Sequence, residues 1–291
     1  MIIFLFANMK KRESFDIAKK VSDFLQQQAI TVVTRDNQAE ELGIAPLSTV
    51  SPQDIDFIIS LGGDGTILRL VHNFPQIQAP ILGINLGHLG FMADIPQSNL
   101  FPSLEEFLKG NYRIEERVMM DGVTANQERC FAVNEMVIHR SLNPSLIDLS
   151  IHVDGDYLNT FSADGVIIST PSGSTAYSLA AGGPILTPEL NAFVITPISP
   201  HTISNRPIVL MPSQKIELQY LSPYEPVEIT YDGFSRFSMR TNDIFSISRA
   251  ERTFKIVSLA TVDYFATLRT KLGWVGQVRY SELNHREEDP E

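Results

Sequence analysis

The sequence predicts two successive architectures: an α/β domain with a mostly parallel sheet over residues 1–111, and a β-rich, antiparallel, sandwich-like domain over residues 112–260. Strand and helix patterns alternate in the first part, which is typical of parallel strands joined by helices. Short segments of alternating polarity, separated by turn residues, dominate the second part. We expect residues 261–291, an amphipathic helix over 263–272 followed by a polar acidic tail, to return to the first domain.

The elements of the α/β domain follow from its apolar periodicity. Phe15, Ala18 and Val21 share one side of an amphipathic stretch, whereas the β-branched run before Gly62 has no helical spacing. The predicted strands are residues 2–6, 30–33, 55–61 and a run that begins at residue 80, and the predicted helices are residues 14–28, a stretch that begins near Ile67, and residues 98–108, closed by Gly110.

Turn residues divide the β-rich domain. Asp154-Gly155 and Asp232-Gly233 stand where hairpin turns are expected. Asp154 and Asp156 could be calcium ligands, but a solvated hairpin is favoured because the other ligands of a calcium loop are missing. The predicted strand segments include residues 131–139, 149–158, 215–220 and 227–233.

The composition limits the class of protein. With 291 residues, 43% of them apolar and 20% charged, the chain is long enough for two domains with cores of their own. Its net charge of −11 disfavours a broad nucleic-acid surface and binding to anionic membranes, so we expect neither partner. The single cysteine, Cys130, excludes an intramolecular disulfide and a cysteine-rich zinc site. No signal peptide or spanning run is evident, so we expect a cytoplasmic protein.

The segment Gly62-Gly63-Asp64-Gly65-Thr66 forms a tight turn between a predicted strand and its helix. Glycines let a ligand approach the backbone closely, and free N–H groups at a helix start favour phosphate. Because a carboxylate repels phosphate, Asp64 fits a base that takes the proton from a hydroxyl attacking a phosphoryl group. The alternative is an ordinary turn with Asp64 as a helix cap. The segment is neither a Walker A loop nor a dinucleotide fingerprint, since Gly-Lys-Ser/Thr and the third glycine are missing.

Residues 162–187 form a second polar segment. A buried strand at 166–169 leaves into a loop rich in hydroxyls and small residues. One interpretation is a pocket for ribose, adenine or phosphate, in which Tyr177 stacks or hydrogen-bonds. The other is that Ser174 and Thr175 only cap the helix that follows.

Asn134 and Glu135 lie in the middle of a predicted strand, among apolar residues. A charge in such a place is costly unless it binds something. The two vicinal hydroxyls of a ribose would suit this pair.

Several motifs belong together: Leu61-Gly-Gly-Asp-Gly-Thr, Gly83-Ile-Asn-Leu-Gly-His-Leu-Gly-Phe, Asn134-Glu135, Thr170-Pro-Ser-Gly-Ser-Thr-Ala-Tyr-Ser, Gly182-Gly-Pro-Ile, His201-Thr-Ile-Ser-Asn-Arg-Pro and Leu268-Arg-Thr-Lys-Leu-Gly-Trp. Together they closely resemble the NAD kinases, over most of the chain. The Gly-Gly-Asp-Gly turn is shared with diacylglycerol and sphingosine kinases, whereas the segment that begins at Thr170 is much more specific to NAD kinases.

This resemblance implies ATP-dependent phosphorylation of the adenosine 2′-hydroxyl of NAD, with Asp64 as the base. It also implies that Mg²⁺ or another divalent cation arrives with ATP, since no protein cage for a metal is evident, and that the chain forms a homodimer or homotetramer. Arg69 is about equally compatible with a surface salt bridge, and His72 is expected to be structural. The residues implied in nucleotide binding are Gly62, Gly63, Gly65, Thr66 and Arg69 at the phosphate-facing turn, Asn134 and Glu135 at ribose hydroxyls, and Ser162, Asp164, Thr175, Ala176, Tyr177, Ser178, Leu179, Ala180 and Asp232 around the dinucleotide.

The chain departs from its family pattern at Ser162-Ala163-Asp164-Gly165, where many relatives carry Arg-Ser-Asp-Gly or Gly-Asp-Gly. This departure leaves open whether NADH is also a substrate. Two other functions remain: a lipid kinase, which would need an apolar channel for acyl chains, and a sensor that binds the dinucleotide without turnover.

Overall fold

The computed structural model describes residues 1–8, 12–201, 205–224, 226–260 and 263–274. Its first sheet has the strand order β3-β2-β1-β4-β5-β20-β7, with β6 beside β5. All its strand pairs are parallel except that of β20 with β7. The strands of this sheet are β1 (Ile2–Ala7), β2 (Thr31–Thr34), β3 (Ala45–Pro46), β4 (Phe57–Leu61), β5 (Ile81–Asn85), β6 (Ile95–Pro96), β7 (Tyr112–Arg117) and β20 (Phe254–Leu259).

Helices cover both faces of this sheet. Successive side chains of a strand point to opposite faces, so Ile3 and Leu5 pack with α1 and α4 whereas Phe4 and Phe6 pack on the side of α3. The α3 side also contacts Met119 and Val133, which joins the sheet to the second half of the molecule. The helices are α1 (Arg12–Gln27), α2 (Asp36–Leu42), α3 (Asp64–Asn73), α4 (Leu100–Leu108), α5 (Tyr177–Ala180) and α6 (Tyr264–Leu272).

Two six-stranded antiparallel sheets form the second half. Their orders are β15-β14-β13-β10-β17-β18 and β12-β11-β16-β19-β8-β9. Buried side chains of both sheets, such as Ile168 and Ile151, belong to one core, so the sheets pack as a sandwich. The strands are β8 (Met120–Val123), β9 (Arg129–Ala132), β10 (Glu135–His139), β11 (Ile147–Val153), β12 (Asp156–Ala163), β13 (Gly165–Ser169), β14 (Phe193–Ile198), β15 (Ile208–Leu210), β16 (Ile216–Tyr220), β17 (Val227–Tyr231), β18 (Ser235–Met239) and β19 (Ile244–Arg249).

The predicted fold class is confirmed, and so are both hairpin turns. Asp154 and Asp232 have φ values of 52° and 49°, and each precedes a glycine of positive φ, in a two-residue turn between Val153 and Asp156 and in a three-residue turn between Tyr231 and Ser235. Helix α6 lies against the first sheet's loops: the Tyr264 and Phe91 rings are 6.1 Å apart, and Leu268 is buried.

Two details differ from the sequence prediction. Residues 131–139 are not one strand: β9 and β10 belong to different sheets and separate at Val133-Asn134. Strands β7 and β20, which we assigned to the β-rich domain, pair within the first sheet, because Ile256 and Val257 of β20 are buried in the cores on its two faces. The domain limits at residues 111 and 260 stay predictions. No helix in the described ranges is long and apolar enough to cross a membrane.

Candidate active site

Asp64 lies at the carboxyl edge of the parallel sheet, where strand β4 turns into helix α3. Gly63 is the extended N-cap residue of α3, and Asp64 is its first residue. A Cβ atom at Gly62 would overlap the Thr66 side chain, so the turn requires glycine there. Ligands of open α/β sheets bind at this edge.

The Asp64 carboxylate is held by the backbone of the loop after β5. The N–H of Phe91 donates to Oδ2 at 2.8 Å, and those of Met92 and Ala93 donate to Oδ1 at 3.0 and 2.9 Å. A Cβ atom at Gly90 would collide with Oδ1, which explains a glycine at that position. A carboxylate has about four lone-pair sites, so one remains for a substrate hydroxyl.

Positive charge lines a cavity on the other side of the turn. This cavity has a volume of about 250 Å³, and its wall includes Thr66, Arg69 and Arg35. Arg69 donates through Nε to the Gly65 carbonyl at 3.0 Å, and Arg35 donates through Nη2 to the Ala7 carbonyl at 2.8 Å. Two guanidinium groups fixed beside a helix N-terminus suit an anion. Arg35 was not among the predicted site residues, because no sequence motif includes it.

Asp232 is a buried organiser of the Asn134-Glu135 segment. Its fully buried carboxylate accepts from the N–H groups of Val133, Asn134 and Glu135 at 2.7–3.1 Å. His72 of α3 adds a contact of 2.8 Å between Nε2 and Oδ2, which gives this histidine a structural place. The Asp232 side chain is therefore not exposed to a ligand. It acts on the predicted pocket indirectly, by holding the backbone of residues 133–135.

Three polar atoms near this segment are buried without a hydrogen-bond partner in the described part of the chain. They are Asn134 Oδ1, Glu135 Oε2 and Ser172 Oγ. Gly173 packs directly on the Asn134 carbonyl, which brings the 170–175 loop onto β10. An unpaired buried polar atom costs about 1–3 kcal/mol, so three of them indicate a place where a polar ligand binds.

Burial raises the pKa of Glu135 to about 8. The charge of Asp232 acts in the same direction, and a hydrogen bond from the Tyr177 backbone acts against both. The free protein therefore favours neutral Glu135 at pH 7.

The 172–180 segment is a 3₁₀ turn, Ser172–Thr175, followed by the short helix α5. The alternative in which Ser174 and Thr175 only cap the helix is wrong: α5 has no side-chain cap, and the Ser174 hydroxyl bonds to Pro171 and Leu186 instead. Ser178 is buried, and its hydroxyl lies 3.0 Å from that of Thr196. The members that reach the surface, wholly or in part, are Thr175, Ala176, Tyr177, Leu179 and Ala180.

Ser162 and Asp164 lie apart from the other predicted ligands. In the β10–β13 pairing, Glu135 is opposite Ser169 and His139 is opposite Gly165, so Asp164 is at the far end of β13. Asp164 is five residue steps from Ser169, which at about 3.4 Å per residue corresponds to roughly 17 Å. Asp164 pairs with Arg140 at 2.9 Å, and Ser162 bonds to Asp148. One chain does not bring these two residues to the Asn134-Glu135 segment. Residues 202–204 of the His201 motif lie outside the described residues.

No cluster of three or more His, Cys, Asp or Glu side chains in the described ranges is placed to hold a metal ion. A parallel sheet with a glycine-rich acidic turn, joined to a sandwich that carries a cluster of buried, unpaired polar atoms, is the architecture of a two-part nucleotide-binding protein. Comparison with known proteins gives the particular family. Residues 3–112 match the ATP-NAD kinase N-terminal domain, and residues 133–259 match the ATP-NAD kinase C-terminal domain.

Full-length relatives agree. The chain is 61% identical over 278 residues to the NAD kinase of Protochlamydia amoebophila, covering 96% of this chain and 100% of that one, and 39% identical to the NAD kinase of Geotalea daltonii, covering 94% and 98%. The chain belongs to the NAD kinase family, and it is a phosphotransferase that acts on NAD.

Solved structures show the same fold. Yeast NADH kinase complexed with NADH aligns with a TM-score of 0.84 at 26% identity, covering 97% of this chain and 90% of that one. An NAD kinase from Archaeoglobus fulgidus in complex with ATP aligns with a TM-score of 0.73 at 25% identity, covering 94% and 99%.

Proposed function

We propose that this enzyme transfers a phosphoryl group from ATP to the adenosine 2′-hydroxyl of NAD in the cytoplasm, giving NADP, with Asp64 as the general base. The observation that carries the proposal is the Asp64 carboxylate, which three backbone N–H groups fix beside a cavity lined by two arginines. The complexes of the yeast relative with NADH and of the archaeal relative with ATP support the two substrates.

The acceptor pocket is built around Asn134 and Glu135. Their unpaired oxygens, with that of Ser172, are acceptors for the hydroxyl groups of a nucleoside. Tyr177, 46% exposed, offers a ring face beside them. Thr175, Ala176, Leu179 and Ala180 line the approach.

The donor phosphates fit the cavity beside Thr66, Arg69 and Arg35. A second cavity of about 560 Å³ begins on the far side of Arg35, and its wall includes Leu47 and Phe74. This volume and the mixture of apolar and polar side chains in its wall suit the nucleoside part of ATP. Mg²⁺ characteristically binds through nucleotide phosphates, so it enters with ATP and neutralises phosphate charge there.

The protein forms no covalent bond to the substrates in the chemical step; it positions them and accepts a proton. Asp64 accepts the hydroxyl proton as the oxygen attacks the terminal phosphorus, a new O–P bond forms, and ADP leaves with the electron pair of the broken bond. The arginines hold the phosphates in line, and the three N–H groups orient the carboxylate.

Asp64→Asn tests the role of the base. We expect NADP formation to fall by about 10²–10⁴-fold, since an amide cannot accept the proton. The variant should fold with a loss of about 1–3 kcal/mol, because Met92 and Ala93 keep an acceptor whereas Phe91 loses one. NADP is measured with an NADP-specific dehydrogenase after incubation with NAD, ATP and Mg²⁺.

Asp16→Asn, on the exposed face of α1, is the matched control and should retain full activity. Full activity in Asp64→Asn would remove Asp64 from the mechanism. Saturable NAD binding by calorimetry without any NADP from the wild type would support the sensor instead. The lipid kinase gains no support from the structure, because the atoms that mark the proposed acceptor pocket are polar oxygens.

Ser162 and Asp164 can contact the bound dinucleotide only if it extends along β13 or if these two residues come from a second copy of the chain. A homodimer or homotetramer would allow the second arrangement.

A further inference from the structure

Asn85 is the last residue of β5, and its polar side chain is buried. It belongs to the motif Gly83-Ile-Asn-Leu-Gly-His-Leu-Gly-Phe, of which the reaction described above uses only the N–H group of Phe91. A buried polar side chain is stable only where it is hydrogen-bonded, so the partners of Asn85 show what it holds. Its partners in the described ranges lie in the loop over residues 86–93, which is the loop that contacts Asp64.

The side-chain amide of Asn85 is bonded near both ends of this loop. Its Oδ1 accepts from the Gly87 N–H at 2.6 Å, in the local turn that asparagine forms with the backbone two residues on. Its Nδ2 donates to the His88 carbonyl and, at 3.3 Å, to the Ala93 carbonyl. A single amide group therefore ties the beginning of the loop to its end.

Ala93 joins Asn85 to the catalytic base. Its carbonyl accepts from Asn85 and, at 2.9 Å, from the Gly90 N–H, whereas its own N–H donates to Asp64 at 2.9 Å. Gly90 lies directly against the carboxylate, because a Cβ atom there would collide with Asp64 Oδ1. The two other N–H groups that hold Asp64 come from the residues between Gly90 and Ala93. The part of the loop that Asn85 fixes is thus the part that contacts the base.

Packing alone does not set the direction of these N–H groups. Met92 and Ala93 are buried on the α3 side of the sheet, which holds the loop against the core. Apolar burial is non-directional, whereas a hydrogen bond restricts the orientation of the groups that make it. Gly87 and Gly90 add conformational freedom, because glycine has no Cβ atom to limit its backbone angles. The amide of Asn85 supplies the directional restraint that the burial of this loop lacks.

We propose that Asn85 is a positioning residue of the phosphoryl transfer: its side-chain amide fixes the 86–93 loop, whose N–H groups aim the Asp64 carboxylate at the acceptor hydroxyl. The inference rests on the proposed function, in which Asp64 takes the proton. A displacement of a reacting group by about 1 Å can cost on the order of 10²-fold in rate. A loop that tilts the carboxylate therefore lowers kcat and leaves both nucleotide pockets in place.

The first experiment measures the loop without any turnover. NMR follows amide hydrogen exchange of Phe91, Met92 and Ala93 in the ligand-free wild type, in Asn85→Ala and in the control Asn99→Ala. Asn99 lines the same cavity of about 380 Å³ as Asn85, but it is exposed and its side chain does not cap α4. We expect exchange on the order of ten-fold faster in Asn85→Ala and unchanged in Asn99→Ala. Equal exchange in all three proteins would overturn the proposal, whatever the enzyme does.

The second experiment separates kcat from binding. We expect Asn85→Ala to lower kcat by about 10–100-fold, with the KM for ATP and the calorimetric affinity for NAD changed less than about three-fold. Asn99→Ala should match the wild type in all three quantities. Weaker binding of both nucleotides with an unchanged kcat would contradict a role in aiming the base.

A double-mutant cycle shows whether Asn85 acts through Asp64. If it does, Asn85→Ala should lower the residual rate of Asp64→Asn by less than about two-fold, since a base that is absent cannot be misdirected. A purely structural role would lower the rate by the same factor in both backgrounds, and that result sinks the proposal.

The outcomes also separate this proposal from the proposed function. No NADP from the wild type contradicts the function, and hydrogen exchange still decides whether Asn85 fixes the loop. If Asn85→Ala does not fold, Asn85→Asp takes its place, because it keeps the side-chain volume and the acceptor for the Gly87 N–H. Its second oxygen cannot donate to the carbonyls of His88 and Ala93, so the same changes in exchange and kcat are expected. Wild-type exchange and kcat in Asn85→Asp would overturn the proposal.

Discussion

Glu135 is a carboxyl group whose surroundings in the free protein favour the neutral form. Its pKa of about 8 lies above the ordinary value, so the folded protein holds the proton more tightly than the unfolded chain does. The resulting stability is fully present below about pH 4 and is lost as pH rises through 8. Ribose hydroxyls donate hydrogen bonds to an ionised carboxylate, so NAD favours the charged form.

Glu135→Gln should therefore separate stability from binding. We expect NAD affinity of the wild type to rise from pH 6 to pH 8.5, and the variant to bind roughly ten-fold more weakly at pH 8 without that rise, because an amide makes weaker bonds to hydroxyls. The free variant should melt at a higher temperature than the wild type at pH 8.5. Calorimetry and thermal unfolding measure both, with exposed Glu251→Gln as the control. Equal pH dependence of binding in both proteins would show that Glu135 does not contact NAD.

The turn of the β17–β18 hairpin contains Asp232, whose carboxylate holds the Asn134-Glu135 backbone. Asp232 occupies the left-handed conformation that a hairpin needs, and asparagine tolerates that conformation as well. Asp232→Asn therefore leaves the turn intact and removes one acceptor oxygen from a fully buried group with four partners. We expect a loss of about 2–4 kcal/mol in the free energy of unfolding and weaker NAD binding, because the Asn134-Glu135 backbone loses its anchor.

Urea unfolding measures this loss against Asp154→Asn. Asp154 has the same position and nearly the same φ in the β11–β12 hairpin, but its carboxylate is exposed and accepts from the Lys215 backbone at 2.9 Å. That variant should change stability by less than about 0.5 kcal/mol. Comparable losses in the two variants would mean that the buried network around Asp232 contributes little.

Elements with local causes were predictable from the sequence. The β4–α3 turn, the two hairpins and the apolar faces of α1 and α4 follow from glycine placement and periodicity. The split between β9 and β10 was not predictable, because it is enforced by Asp232, which is 99 residues from Val133. The hydrogen-bond partners of Asp64 could not be predicted for another reason. They are backbone N–H groups of Phe91 to Ala93, which no side-chain pattern reveals.

At the scale of the whole molecule, the sandwich leaves sheet edges open in a single chain. Strand β15 is one of these edges, and Val209 on it and Met211 just after it are 50% and 66% exposed. An edge with apolar side chains is a surface on which a second chain can pair. The distance between Asp164 and the Asn134-Glu135 segment also points to a second chain, since the predicted ligand-binding residues do not come together within one copy.

We therefore expect light scattering at micromolar concentration to give two or four times the mass of one chain. Met211→Lys places a charge at the β15 edge and should lower that mass, whereas Leu142→Lys, at a side chain 98% exposed in a loop away from the sheet edges, should not. If a second copy supplies Ser162 and Asp164, dissociation of Met211→Lys into single chains also abolishes NADP formation, although Asp64 and its loop are unchanged. A monomeric wild type that still forms NADP would show that one chain contains the whole site, and that the dinucleotide itself spans the roughly 17 Å along β13.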